Sequence, residues 1–213
     1  MFSFFIKNFF QLNKLLLIFW LIVTFIISCS TIEPQMVADS CIIFKEKKLW
    51  YKDAKKSYDK WKVPISLQLS IINQESSFNQ FAKPKRKKIM NLIPWKRPSS
   101  AFGYAQVVDP TWDWYKSKTG NINASRANFT DVTDFIGWYV NQSNKMLGIK
   151  KNDAYNQYLA YHEGQNGWKK KTYLNKDWLI NAAMTVKENN DRYNRQLKKC
   201  EKKLNKKGIF GFI

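Results

Sequence analysis

The stretch that decides the fold is Pro64-Ile-Ser-Leu-Gln-Leu-Ser-Ile-Ile-Asn-Gln-Glu-Ser-Ser-Phe78. Proline at its head is favoured in the first turn of a helix. Leu67 and Ile71 then fall at i and i+4 of one apolar row. The next member of that row is Glu75, a carboxylate where an apolar side chain is due. An ionised carboxylate there is costly unless it is paired or its pKa is raised. A glutamate poised in that way can give a proton to a substrate oxygen. Taken alone, Glu75 reads more simply as a rim residue at a helix end; the segments downstream change that reading.

Helical patterns dominate on both sides of this stretch. Phe44 to Trp61 carries Leu49, Ala54, Tyr58 and Trp61 among lysines. Thr130 to Leu147 places Val132, Phe135, Ile136, Tyr139, Met146 and Leu147 at helical intervals. Asp153 to Glu163 and Asp177 to Lys199 are further amphipathic candidates, the last with Trp178, Ala182, Val186, Tyr193 and Leu197. No run alternates in the manner of a strand, so the expected fold is mainly α with few or no strands.

The first 28 residues read as a targeting segment. Lys7 and Lys14 supply its positive charge, and Leu15 to Ile27 is an almost unbroken apolar run. That run is shorter than the about 20 residues a membrane span needs. It ends at Ile26-Ile27-Ser28-Cys29, which resembles the lipobox of bacterial lipoproteins, with Cys29 as lipid acceptor and new N-terminus. An uncleaved anchor is the alternative; either way the domain is expected outside the cytoplasm, tethered to a membrane. Residues 29–45 read as the tether, 46–200 as the domain and 201–213 as an apolar-ended tail.

Removing residues 1–28 takes two lysines and no acids from a chain of net charge +20, leaving +18. Such charge ordinarily suggests nucleic acid, and Lys83-Pro-Lys-Arg-Lys-Lys88 has the look of a basic tract. A secreted lipoprotein argues against that partner. The expected partners are anionic envelope surfaces and the carboxylates of the cell wall, attracted over a range that salt shortens. With Cys29 lipidated, Cys41 and Cys200 form an even pair in an oxidising compartment, and a disulfide between them is expected.

Three segments then fall in order: Glu75-Ser76, Gly103-Tyr-Ala-Gln106 and Ala160-Tyr-His-Glu-Gly164. They resemble the three motifs of the soluble lytic transglycosylase (SLT) domain family, which usually reads Glu-Ser, Gly-Leu-Met-Gln and Ala-Tyr-Asn-x-Gly. The resemblance covers roughly residues 46 to 200. It implies a lysozyme-like helical domain with a cleft, acting as a polysaccharide lyase on peptidoglycan strands, as a monomer without cofactor or metal. Glu75 would be the single acid and base, forming a 1,6-anhydro ring on N-acetylmuramic acid. The resemblance further implies substrate contacts from Gln106, Tyr161, Gly103, Tyr104 and Ser76, with a looser match at Tyr193. Gly103 is expected to admit the sugar close to the backbone, Gln106 to meet an N-acetyl group, and Tyr161 to hydrogen-bond near Glu75.

The chain departs from the pattern in three places. Tyr104-Ala105 replaces Leu-Met, His162 replaces asparagine, and residues 83–98 lengthen the link between the first two motifs. Proline and clustered charge make that insertion a loop, with Ile89, Leu92, Ile93 and Trp95 expected to pack down. Trp95, Trp112, Trp114 and Trp168 offer flat faces for sugars, although most tryptophans in a helical domain are core. Two other functions remain open at this stage. One is a hydrolytic muramidase resembling goose-type lysozyme, with a second acid such as Asp109; the other is a wall-binding lipoprotein without activity. The expected location is the bacterial envelope, lipid-anchored and facing the periplasm, most simply at the outer membrane.

Overall fold

The computed structural model describes residues 36–86, 88–89 and 93–207. The described chain is mainly helical: α1 (Ser40–Glu46), α2 (Lys48–Trp61), α3 (Ile65–Ser76), α4 (Asp109–Thr119), α5 (Phe129–Leu147), α6 (Ala154–Lys169) and α7 (Asp177–Lys207). A short 3-10 turn, Thr172–Asn175, precedes α7. The targeting segment, the proposed lipid site at Cys29 and residues 208–213 lie outside the described residues.

Helix α3 is the centre of the fold. Every residue from Ile65 to Ile72 is buried, so over that stretch the helix has no solvent side and the single apolar stripe read from Leu67 and Ile71 is one sector of an enclosed rod. Most of its buried polar groups are satisfied inside, the Gln68 amide oxygen being the exception. Gln68 donates to the Val63 carbonyl at 3.0 Å, and Ser66 donates to Asn190 on α7 at 2.8 Å. Helices α2 and α5 cross closely, since a Cβ on Gly137 would lie 2.5 Å from the Trp61 ring. Ser57 spans that crossing with a 2.6 Å bond to the Thr133 carbonyl.

Several boundaries and faces differ from expectation. The tether assigned to residues 29–45 overlaps folded chain, because α1 docks on α7 and buries Ile43 and Phe44. Ser40 N–H donates to Gln196 at 3.0 Å, and Gln196 donates in turn to the Ala38 carbonyl. Cys41 and Cys200 are joined by a disulfide, with Cα atoms 6.1 Å apart. Helix α7 runs past Cys200 to Lys207, so the tail begins as helix. On α2 the buried residues are Tyr51, Ala54 and Ser57, which turns Leu49 out to 73 % exposure.

The insertion 83–98 contains no helix among its described residues. It carries a two-residue antiparallel pair, β1 (Lys88–Ile89) with β2 (Ile93–Pro94). Trp95, expected to pack down, is exposed. An aromatic stack joins α2 to the start of α5 and to the 103–106 turn: Trp50 lies flat on Phe129 at 4.0 Å, with Tyr104 edge-on to both.

Candidate active site

Glu75 lies in the last turn of α3, which ends abruptly. Ser77 and Phe78 both take left-handed backbone angles, at φ 48° and 63°, and Phe78 turns into the core beside Trp50. Part of Glu75 faces solvent, but the surrounding atoms strip most of the hydration from its carboxyl. That burial pushes its pKa up to about 7, and a hydrogen bond from Tyr158 opposes the shift. Tyr158 Oη donates to Glu75 Oε1 at 3.0 Å. No neighbouring carboxylate contributes to the shift, as a nearby second acid would.

The three sequence segments meet here through backbone carbonyls. Ser76 Oγ donates to the Tyr104 carbonyl at 2.7 Å, and Tyr161 Oη donates to the next carbonyl, that of Ala105, also at 2.7 Å. The 103–106 turn is therefore bolted to α3 on one side and to α6 on the other. Tyr161 lies near Glu75, and burial together with that carboxylate's charge drives its own pKa up. Behind it, Tyr139 and Phe135 continue an aromatic wall, at 5.3 and 6.3 Å from the Tyr161 ring.

Several expected contacts take different roles. Gly103 has φ 78°, and a Cβ there would lie 2.0 Å from the Arg126 carbonyl oxygen. Its small size is thus required by the chain's own backbone. Tyr104 is buried in the aromatic stack, and burial alone pushes its hydroxyl up to about 12. Gln106 spends its amide nitrogen on the Ala82 and Gly103 carbonyls, each at 2.9 Å, leaving only the amide oxygen without a partner among the described residues. Tyr193 is fully buried on α7, with its hydroxyl on the Val37 carbonyl.

The third segment ends at a kink. Gly164 sits at φ 72°, ψ 163° inside α6, a conformation close to exclusive to glycine. Ahead of it, Glu163 is buried against Lys176. Burial would raise its pKa, but hydrogen bonds from Lys176, Thr172 and His162 bring it down to about 2. His162 Nδ1 lies 3.1 Å from Glu163 and its ring meets Trp178 edge-on at 4.9 Å, so the single histidine belongs to this brace.

Asp109 is exposed and ion-paired with Arg126 at 2.6 Å; Asp113 is paired with Lys116. Of the tryptophans considered for stacking, Trp112 is core, Trp95 is exposed, and Trp114 and Trp168 are half-buried. Tyr158 was not expected at the site. Its spacing three residues before Tyr161 on α6 was the available signal, since such residues share a helix face.

Residues 17–200 match the family described as Transglycosylase SLT domain, and the chain belongs to that family. No curated protein and no solved structure gives a significant match. Family membership assigns transglycosylase chemistry on peptidoglycan, within the helical, lysozyme-like architecture seen here.

Proposed function

We propose that the domain is a lytic transglycosylase cleaving the β-1,4 bond between N-acetylmuramic acid and N-acetylglucosamine, with Glu75 as its one acid and base. The observation that carries this reading is the Glu75 carboxyl, raised to about 7 by burial with no second acid beside it. At that pKa both protonation states are populated near neutral pH, which a group that must give and then take a proton requires. Protonated Glu75 donates to the glycosidic oxygen, and the N-acetylglucosamine side departs as the alcohol. The resulting carboxylate takes the proton from the muramic acid C6 hydroxyl as that oxygen bonds to C1. The product is a 1,6-anhydro ring, and no water is consumed.

Tyr158 acts as a positioning residue, steadying the carboxylate form through its hydroxyl. The unengaged oxygen of Gln106 is the group on the 103–106 turn free to accept an N-acetyl N–H. We further place the domain in the periplasm, held by lipid on Cys29; Cys29→Ala should leave the membrane fraction or stall as precursor. The main test is mass spectrometry of digested sacculi. Anhydro ends are expected, whereas hydrated reducing ends would replace this reading with a hydrolytic muramidase.

A further inference from the structure

A second feature of the surface stands apart from the residues around Glu75. A groove of about 460 Å³ opens between α2, α4 and α5 and shares none of its lining with that site. It is lined by Trp61 and Trp114, with Trp138 buried behind them, and by Lys60, Lys118 and Lys145. The indoles are held in place: Trp61 donates its N–H to Asp134 at 2.7 Å, and Trp114 meets Trp138 edge-on at 4.6 Å. Lys60 pairs with Asp134 and lies 4.7 Å over the Trp61 ring. Lys118 and Lys145 are exposed, and neither has an acidic partner among the described residues. Lys151, which donates to the Trp61 carbonyl at 2.8 Å, adds a further cation at the edge. Its pKa is lowered by burial and by the charge of Lys145.

Uncompensated cations beside fixed aromatic faces call for a ligand with both negative charge and flat, ring-shaped apolar surface. Gln142 and Thr119 complete the lining with an amide and a hydroxyl suited to polar ring substituents. No aliphatic side chain lines the groove, which disfavours acyl chains as its occupant. We propose that this groove is a second, non-catalytic binding site for peptidoglycan, with the half-buried Trp61 and Trp114 stacking on sugar rings over the buried Trp138 and with Lys118 and Lys145 pairing with carboxylates of the strand. The inference rests on the substrate class given by the proposed function. A wall-bound enzyme held there stays on its insoluble substrate between cleavage events.

The test uses purified sacculi and the domain carrying Glu75→Gln, so that the wall is not digested. Adding Lys118→Glu and Lys145→Glu should weaken sacculus binding about tenfold at moderate salt, with folding checked by circular dichroism. The milder Lys118→Gln/Lys145→Gln pair should give an intermediate loss. Sacculi whose carboxyls have been amidated should bind the parent as weakly as the reversed variant. A control reversal of equal charge on α7, Lys198→Glu/Lys202→Glu, should keep near-parental binding; an equal loss there would overturn the site in favour of bulk charge. Unchanged sacculus binding by the groove variant, or a loss confined to phosphatidylglycerol vesicles, would also overturn it. The anhydro-product assay on the wild-type chain reports on Glu75 separately, so either reading can fail alone.

Discussion

Tyr158 donates a 3.0 Å hydrogen bond to Glu75, and this is the one contact that opposes the desolvation of the carboxyl. The ionised form accepts that bond better than the protonated one, so the hydroxyl holds the pKa below the value burial alone would set. Tyr158→Phe keeps the ring in its buried place and removes only the donor. The pKa of Glu75 should rise by about one unit, given the usual worth of a hydrogen bond to a charged group. In a pH profile of kcat/KM the limb set by Glu75 should move upward by that amount. A profile that loses height without moving would mean that Tyr158 acts on the substrate and not on Glu75.

Glu75→Gln should reduce glycan cleavage by at least about 100-fold, because the amide cannot exchange a proton. It should also change stability in a direction set by the raised pKa. The carboxyl ionises near 7 in the fold against an ordinary 4.5. Such a group costs the fold nothing below about pH 4.5, and the cost grows through the interval and is complete above about 7. The full difference is roughly 3 kcal/mol. The variant should therefore melt higher than wild type at pH 8 and match it at pH 4. A lower Tm at pH 8 would show Glu75 to be a structural anion and sink its assignment as acid and base.

The sequence was most legible where local rules act. Pro64 marks the start of α3 to within a residue, and the three short segments that meet at Glu75 are each legible as local motifs. Roles fixed by distant chain were hidden. Nothing near Gly103 announces that Arg126, on the far side of α4 in sequence, requires the missing Cβ. The burial of Tyr193 is legible in its own helix. Leu179, Ala183, Val186, Asn190, Tyr193 and Leu197 recur every three or four residues, so Tyr193 sits in the middle of the buried row. Leu49 is the opposite case, an apolar residue at a helix start that packing turned outward, which a period alone does not forbid.

Gly103→Ala tests whether the 103–106 turn is built by internal packing. The new methyl would collide with the Arg126 carbonyl at a positive φ, and the strain should cost about 2–4 kcal/mol. Gly120 also has positive φ, but a Cβ there meets nothing within 4 Å. Gly120→Ala should cost about 1 kcal/mol. Thermal melts should rank the two clearly, with Gly103→Ala also losing activity as the turn shifts from Glu75. A Gly103→Ala protein with wild-type Tm and weak substrate use would restore the reading of close sugar approach.

The disulfide between Cys41 and Cys200 closes a loop of sequence separation 159 and ties α1 to α7, beside the Tyr193 to Val37 bond. By loop entropy it should contribute about 4–5 kcal/mol to stability. Cys41→Ser and Cys200→Ser should each lose most of that amount. The double variant should fall within about 0.5 kcal/mol of either single, because all three lack the same bridge. Denaturant melts measure this, and thiol labelling of the mature domain under denaturing, non-reducing conditions checks its premise. No label should appear at these two residues. Labelling at both, or losses that add in the double variant, would mean that two separate thiols are at work and that α1 is held on α7 by its hydrogen bonds and buried Ile43 and Phe44 alone.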